Sequence, residues 1–203
     1  AVPLLDPDRD LTVLLVGVMG SRLAPAMPLL PAMVYGAMLL PFMSANVVST
    51  DVFLTLFVTA AMAAWFATGG SRAGVRLMWL GFGIAFLTKG PPAMLPLLGL
   101  IVATAWNRQP LRPLFDPVGI LLWLCVALPW FLLVIERNPG LFDYLVRDEL
   151  VARSFSAQHG RSPQWWGGLY VYGATLLVGT LPFGWVLLRR WRVRQPDCWI
   201  WIR

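Results

Sequence analysis

The sequence feature that most limits the possible folds of this chain is a thirty-residue apolar stretch, 77–106. It is interrupted once, by the sequence TKGPP at 88–92. Lys89 in that interruption is the only lysine in the protein, and every other basic side chain is an arginine. An unpaired ionisable group inside apolar sequence costs roughly 2.5–3.5 kcal/mol on membrane-insertion scales, so it normally faces a cavity, a partner or the interface. Lys89 is therefore the first candidate functional residue.

The composition excludes an ordinary soluble domain. Hydrophobic residues make up 58% of the sequence and charged residues 13%, whereas about a quarter of the residues of a soluble domain are charged. The net charge of +6 comes from arginines clustered at the ends of apolar runs, which is typical of topology signals and not of a nucleic-acid site. We therefore predict an all-α, polytopic integral membrane protein with the bilayer, and no nucleic acid, as a partner.

Apolar runs divide the chain into segments of helical length. The run 11–20 is shorter than the roughly 20 residues that a helix needs to cross a bilayer. Ser49 and Thr50 before Asp51 are typical of a helix start, so a capping role for Asp51 stays open beside a functional one. The predicted spans are 23–46, kinked by prolines; 52–68; a hairpin with the short legs 77–88 and 91–106; 118–135; and 165–188.

The arginines assign a side of the membrane to each turn. A cluster of four arginines between 189 and 194 marks the cytoplasmic face, and counting back along the predicted spans puts the arginine pairs at 108 and 112 and at 72 and 76 on that same face. Lys89, at the tip of the hairpin, and Asp51 then lie on the outer face. The arginine count therefore predicts that the candidate site lies on the outer, non-cytoplasmic face of the membrane.

The segment 137–165 is predicted to be an outer loop, although it contains four arginines. Asn138 before Pro139 is typical of a helix start, and we predict an interfacial helix from Pro139 to about Phe155. Its charges are either solvated ion pairs or a platform for an anionic lipid headgroup. His159, the only histidine, lacks a partner for a metal site, so an exposed or hydrogen-bonded role is expected.

This topology collects five candidate site residues on one side of the membrane. A lysine can neutralise a phosphate leaving group without proton transfer, and a nearby carboxylate can bind a metal or the donor, or act as a base towards a hydroxyl acceptor. Such a set suits the transfer of a sugar from a lipid phosphate. The five residues are Asp51, Lys89, Glu149, Arg153 and His159.

Four segments carry a family resemblance: STDVFLTLF, GFGIAFLTKGPPAMLPLL, ALPWFLLVIERNPGLFDYLVRDELVARSF and QHGRSPQWWGGLYVYGATLLVGTLPFGW. Together they resemble the central part of the bacterial membrane glycosyltransferases related to protein O-mannosyltransferases and to the lipid A aminoarabinose transferase. The resemblance covers about 22–194 of a single partial transmembrane domain and leaves 195–203 as an irregular tail. It implies a GT-C-type helical bundle in the bacterial inner membrane, an active site that faces the periplasm and a polyprenyl-phosphate-linked sugar donor.

The resemblance also implies roles for individual residues. Lys89 matches the lysine of the family's TKG motif, which implies contact with the donor phosphate, and Asp51 matches an aspartate after the second outer turn. Glu149 and Arg153 match the Glu and Arg of a motif that usually reads EHxxRF, and His159 matches a histidine before the PQWWG stretch. All five are implied to bind substrate.

This chain also departs from the family pattern. Leu150 replaces the histidine of EHxxRF and Ser154 precedes Phe155, so a metal site built on that histidine is not expected. No cofactor is predicted, while a divalent cation stays an open alternative. The family's main catalytic acidic residue lies in a first outer loop that nothing in 1–22 matches. We therefore expect a fragment that is inactive by itself, with this residue upstream.

Two alternative functions stay open at this stage. A transporter or flippase for a lipid-linked or anionic solute also uses broken helices and a lysine within a span. An assembly subunit would use its charges only to set topology. For the enzyme, the acceptor is lipid A, a protein or another envelope glycan, and the sequence does not distinguish among them.

Overall fold

The computed structural model describes residues 7–45, 49–140 and 167–184. Within these ranges the chain forms helices and turns and no β-strand, so the predicted all-α class is confirmed. Short 3₁₀ turns at Pro91–Met94 and Arg112–Leu114 precede α6 and α7. The α-helices are α1 Pro7–Leu23, α2 Leu30–Ala37, α3 Leu39–Ala45, α4 Thr50–Thr68, α5 Arg72–Lys89, α6 Leu95–Trp106, α7 Pro117–Arg137 and α8 Gly167–Gly179.

Two of the described helices, α4 and α7, are long and apolar enough to cross a membrane. Only 17% of the apolar window of α4 and 11% of that of α7 is buried within the described structure. A core helix of a soluble protein would bury most of such a window. The described residues therefore leave most of the apolar surface of α4 and α7 uncovered.

Helices α4 and α5 form an antiparallel pair joined by a short turn. Ser49 caps the start of α4, and Gly69 ends it in the left-handed conformation, with φ +60°. The two helices approach closely where Gly81 of α5 meets Ala61 of α4. The glycine lets the two backbones touch, as small residues do at helix interfaces in membranes. This pairing brings the start of α4 to the end of α5.

Helix α7 packs on the opposite side of α5 through aromatic side chains. The Trp79 indole lies edge-on to Trp123, with 6.5 Å between ring centroids, and its N–H donates to the Leu114 carbonyl at 2.8 Å. Gly119 leaves room for the Trp79 ring, which a Cβ would approach to 2.6 Å. The loop before α7 is thereby attached to the first half of α5.

The chain reverses direction after Lys89, as the sequence predicts. Gly90 adopts φ +70°, which ends α5, and Pro91 begins the 3₁₀ turn that leads into α6. Because Leu114 contacts Trp79 and Asp116 contacts Arg76, the chain has returned to the start of α5 by the beginning of α7. Lys89 is therefore at the tip of a hairpin.

Two predicted spans differ from the observed helices. In place of the kinked span predicted over 23–46, residues 24–45 form a loop and two short helices, because Met38 is extended, with ψ 143°, between α2 and α3. Pro25 and Pro28 lie in the loop before α2, where they cannot interrupt a helix. In the predicted span 165–188, α8 ends at Gly179, and the residues from 185 onward lie outside the described ranges.

The predicted interfacial helix does not begin at Pro139. Asn138 ends α7, where its side-chain amide donates to the Val134 carbonyl at 2.8 Å. Pro139 and Gly140 form a turn in which Gly140 has φ +91°, a conformation outside the helical region. The remainder of the predicted helix and of the outer loop 137–165 lies beyond the described residues, up to the start of α8.

The contact between Gly81 and Ala61 predicts an unequal response to two alanine substitutions. A Cβ at Gly81 would lie 3.0 Å from the Ala61 Cβ and 3.1 Å from its Cα, so Gly81→Ala should separate α4 from α5 and destabilise the fold by about 1–3 kcal/mol. Gly99→Ala is the matched control, because open space surrounds that position. Thermal unfolding in detergent should show a lower midpoint for Gly81→Ala alone; equal midpoints would contradict this packing.

The ion pair between Arg76 and Asp116 predicts a dependence of stability on pH. The hydrogen bond from Arg76 Nε, 3.0 Å long, is the main reason that the pKa of Asp116 is below its ordinary value of 3.8; burial opposes this effect. A lowered carboxyl pKa stabilises the fold above the ordinary value, and this contribution is lost as pH falls through the lowered pKa. Asp116→Asn should therefore lower the unfolding midpoint more at pH 7 than at an acidic pH below 3.8, where the Asp116 carboxylate becomes protonated. A decrease in the unfolding midpoint that is equal at both pH values would contradict a stabilising role for the Asp116 charge.

Candidate functional site

The site is centred on an ion pair between the two predicted residues Asp51 and Lys89. Asp51 lies in the first turn of α4 and Lys89 is the last residue of α5, so the antiparallel helix pair brings together side chains 38 positions apart. The Lys89 Nζ donates a hydrogen bond to Asp51 Oδ1. The structure thus brings together two of the five residues that the sequence proposes for one site.

The capping role considered for Asp51 belongs to Ser49. The Ser49 Oγ accepts a hydrogen bond from the Asp51 backbone N–H at 3.1 Å and contacts Asp51 Oδ2 at 3.2 Å. A serine at the N-cap satisfies an N–H group that the helix leaves without a partner. The Asp51 carboxylate is therefore not needed to cap α4, and its partners are Lys89 and the Ser49 hydroxyl.

Both members of the ion pair are accessible to a ligand. The Lys89 side chain is 43% exposed and the Asp51 side chain 56% exposed. An exposed ion pair contributes only about 0–1 kcal/mol in measured cases, so little free energy is lost when one partner is exchanged for another. An anionic group that approaches Lys89 can therefore compete with Asp51 for the ammonium.

A pocket of about 250 Å³ adjoins Asp51 between α1, α2, α3 and α4. Arg9 and Tyr35 line it together with Asp51. The Arg9 guanidinium is held in place, since it donates to the Gly36 carbonyl at 2.7 Å and lies 5.4 Å from the centroid of the Phe42 ring. A fixed cation, a phenol and a carboxylate thus face one small cavity.

The sequence analysis did not propose Arg9 or Tyr35. One signal could have found Arg9: it is the only basic residue before the first apolar run, 11–20. Tyr35 carries a weaker signal, as the only tyrosine before residue 144. Their shared pocket depends on the break between α2 and α3, which no local pattern specifies.

The other proposed site residues lie outside the described ranges. Glu149, Arg153 and His159 fall between residues 141 and 166, so their places in the site remain predictions. Across the described residues, no group of three His, Cys, Asp or Glu side chains is close enough together to hold a metal ion.

A second ion pair lies far from the first along α5. Arg76 and Lys89 are separated by 13 positions, which corresponds to about 20 Å at 1.5 Å per residue. Arg76 bonds Asp116 and Lys89 bonds Asp51, so the two ion pairs tie α5 to α7 and to α4, respectively. Of the two, only the Asp51–Lys89 pair adjoins the pocket.

The division of tasks between Ser49 and Asp51 predicts different stability effects. Ser49→Ala removes the cap and should lower stability by about 0.5–2 kcal/mol. Asp51→Asn removes an exposed ion pair and should lower it by no more than about 1 kcal/mol. Thermal unfolding of the two variants in the same detergent tests this difference. A larger loss for Asp51→Asn than for Ser49→Ala would show that the ion pair is primarily structural.

Comparison with known proteins reveals related transferases. A protein of Serratia proteamaculans (strain 568), named an undecaprenyl phosphate-alpha-4-amino-4-deoxy-L-arabinose arabinosyl transferase, is 28% identical over 184 residues, or 83% of this chain and 32% of the relative. Proteins with the same name from Yersinia enterocolitica and from Yersinia pestis (strain Pestoides F) are 28% and 27% identical over 181 residues, or 81% of this chain and 31% of each relative. No family model matches the chain, and no solved structure matches it significantly.

The chain spans about a third of the length of these curated relatives. The similarity nevertheless extends over most of the chain, well beyond any single motif. The resemblance proposed from the four sequence segments is therefore confirmed: the chain is similar to the undecaprenyl phosphate-linked aminoarabinose transferases.

Proposed function

We propose that this chain is part of a membrane glycosyltransferase that moves a sugar from a polyprenyl-phosphate donor to an envelope acceptor. The observation that carries the proposal is the accessible ion pair between Lys89 and Asp51 beside a pocket lined by both polar and apolar side chains. The relatives are named as transferases of a sugar linked to undecaprenyl phosphate, which agrees with a cation placed to bind a lipid phosphate. The acceptor is lipid A, a protein or a glycan.

In this proposal Lys89 exchanges its partner when the donor binds. The donor phosphate replaces Asp51 as the counter-ion of the ammonium, at little cost because the original pair is exposed. During transfer, an acceptor hydroxyl oxygen forms a bond to the anomeric carbon of the sugar, while its O–H bond breaks and the proton passes to a carboxylate base. The bond from that carbon to the phosphate oxygen breaks, and the phosphate keeps the electron pair. Lys89 stabilises the negative charge that develops on the phosphate.

Donor binding also frees the Asp51 carboxylate for a new hydrogen-bond partner. Once Lys89 contacts the phosphate, the Asp51 carboxylate can accept a hydrogen bond from a hydroxyl group of the donor or acceptor. Glu149, Arg153 and His159 are proposed as further substrate-binding residues. The main catalytic carboxylate is proposed to lie in a segment that precedes this sequence in the full protein.

We also propose a polytopic GT-C-type bundle in the bacterial inner membrane, with the Lys89 tip facing the periplasm. The exposed apolar surfaces of α4 and α7 support a location in lipid. The arginines at 72, 76, 108 and 112 favour the cytoplasm for the other end of α5. Since Lys89 is the only lysine, the sequence lacks a second hairpin of the same kind, which a transporter built from repeats would predict.

Lys89→Ala tests the proposed function in the natural full-length protein. Removing one electrostatic group of this type typically lowers turnover by about 10²–10³-fold, and we expect a loss of that size for sugar transfer from an undecaprenyl-phosphate-linked donor in vesicles. Arg112→Ala is the matched control, because this exposed arginine belongs to the loop that leads into α7. Both variants should insert normally into membranes. Unchanged turnover in Lys89→Ala would remove Lys89 from the site.

A further inference from the structure

The pocket beside Asp51 combines hydrogen-bond donors and acceptors in one small space. The Thr12 hydroxyl donates to the Asp8 carbonyl and the Thr55 hydroxyl to the Asp51 carbonyl, each at 2.8 Å, so both threonine oxygens face a ligand as acceptors. Arg9 and Tyr35 carry N–H and O–H donors. The polar side chains that line the pocket are those of Arg9, Thr12, Tyr35, Ser44, Asp51 and Thr55.

The remaining walls of the pocket are apolar. Leu40, Pro41 and Val52 line it beside the polar groups. A group that fits must therefore offer hydroxyl groups on some sides and C–H surface on another. A sugar ring has this combination, whereas a phosphate has no apolar face and a lipid chain has no hydroxyl groups. The chemistry of the walls favours a single polyhydroxylated ring.

The size of the pocket also agrees with a single sugar ring as the ligand. Its volume of about 250 Å³ is below the roughly 300–1,000 Å³ of pockets for drug-sized ligands. One monosaccharide unit fits within such a space.

Asp51 connects the pocket to the proposed phosphate site. Its carboxylate both accepts the hydrogen bond from Lys89 and lines the pocket. In a polyprenyl-phosphate sugar, the phosphate and the ring are directly linked. A donor whose phosphate binds Lys89 can therefore extend its ring past Asp51 towards Arg9 and Tyr35.

We propose that this pocket binds the sugar ring of the donor, with Arg9 and Tyr35 as specificity-determining residues that hydrogen-bond its oxygen atoms. The inference rests on the proposed function, because it takes Lys89 as the phosphate site. Among the described residues that line the pocket, Arg9 is the only cation, and its neighbours Asp8 and Asp10 do not line it. A guanidinium donates hydrogen bonds and accepts none, so the substituent that it contacts is a hydroxyl or carboxyl oxygen and not an ammonium group.

Lipid-binding measurements on the full-length protein test this assignment separately from the phosphate site. The probes are undecaprenyl phosphate without a sugar and undecaprenyl phosphate carrying glucose, glucuronic acid or 4-amino-4-deoxy-L-arabinose. We expect at least one hydroxylated or acidic sugar lipid to bind more tightly than the sugar-free lipid. Tyr35→Phe and Arg9→Gln should each weaken binding of that sugar lipid by roughly three- to tenfold, as expected for one lost hydrogen bond, and should leave binding of the sugar-free lipid unchanged.

The controls separate failure of the pocket from failure of the phosphate site. Lys89→Ala should weaken binding of every lipid phosphate, and Arg112→Gln should weaken none. Tyr35→Phe removes only a hydroxyl group, so it remains informative if Arg9→Gln lowers the thermal stability through the lost Gly36 contact. The assignment of the sugar pocket is wrong if no sugar lipid binds more tightly than undecaprenyl phosphate. It is also wrong if this difference in affinity persists in both Tyr35→Phe and Arg9→Gln. If Lys89→Ala leaves all binding unchanged, the phosphate site itself is wrong.

Discussion

The contact between the backbones of α4 and α5 is the constraint on which the rest of the site depends. Gly81 allows Ala61 to approach so closely that no side chain fits between the two helices. Because the helices are antiparallel and nearly equal in length, this contact fixes the start of α4 against the end of α5. Asp51 and Lys89 meet as a consequence, although neither side chain takes part in the packing contact between the two helices.

The charges of this chain have different tasks at the two ends of α5. Arg76 and Asp116 connect α5 to the start of α7, where Asp116 also caps the helix by accepting the Gly119 N–H at 3.0 Å. Replacing Arg76 or Asp116 would therefore disturb the packing of α5 against the start of α7. Lys89 and Asp51 are exposed, and Ser49 performs the capping beside them. An ion pair that the fold does not require is available for exchange with a ligand, which is the physical basis of the proposed function.

The sequence predicted the elements with clear local signals. The lone lysine, the TKGPP interruption and the flanking arginines predicted the hairpin after Lys89, and the apolar run 52–68 predicted the end of α4 at Thr68. Periodicity and composition could not predict the break at Met38, because proline is tolerated in membrane helices and marks no unique position for a break. The pocket therefore escaped prediction, since Arg9 and Tyr35 meet only through the packing of α1 on α2 and α4. The sequence left a capping role for Asp51 open because Ser49 and Asp51 both suit a helix start.

Cross-linking between positions 51 and 89 tests the central claim most directly. The full-length protein would carry Asp51→Cys and Lys89→Cys after replacement of Cys125, Cys198 and any other native cysteine by alanine, and a short thiol cross-linker that cannot cross membranes would be added to the periplasmic side. The account predicts an efficient intramolecular cross-link, identified by mass spectrometry of the linked peptides, and none when the reagent reaches only the cytoplasmic side. Absence of the cross-link, or its formation from the cytoplasmic side alone, would contradict the account.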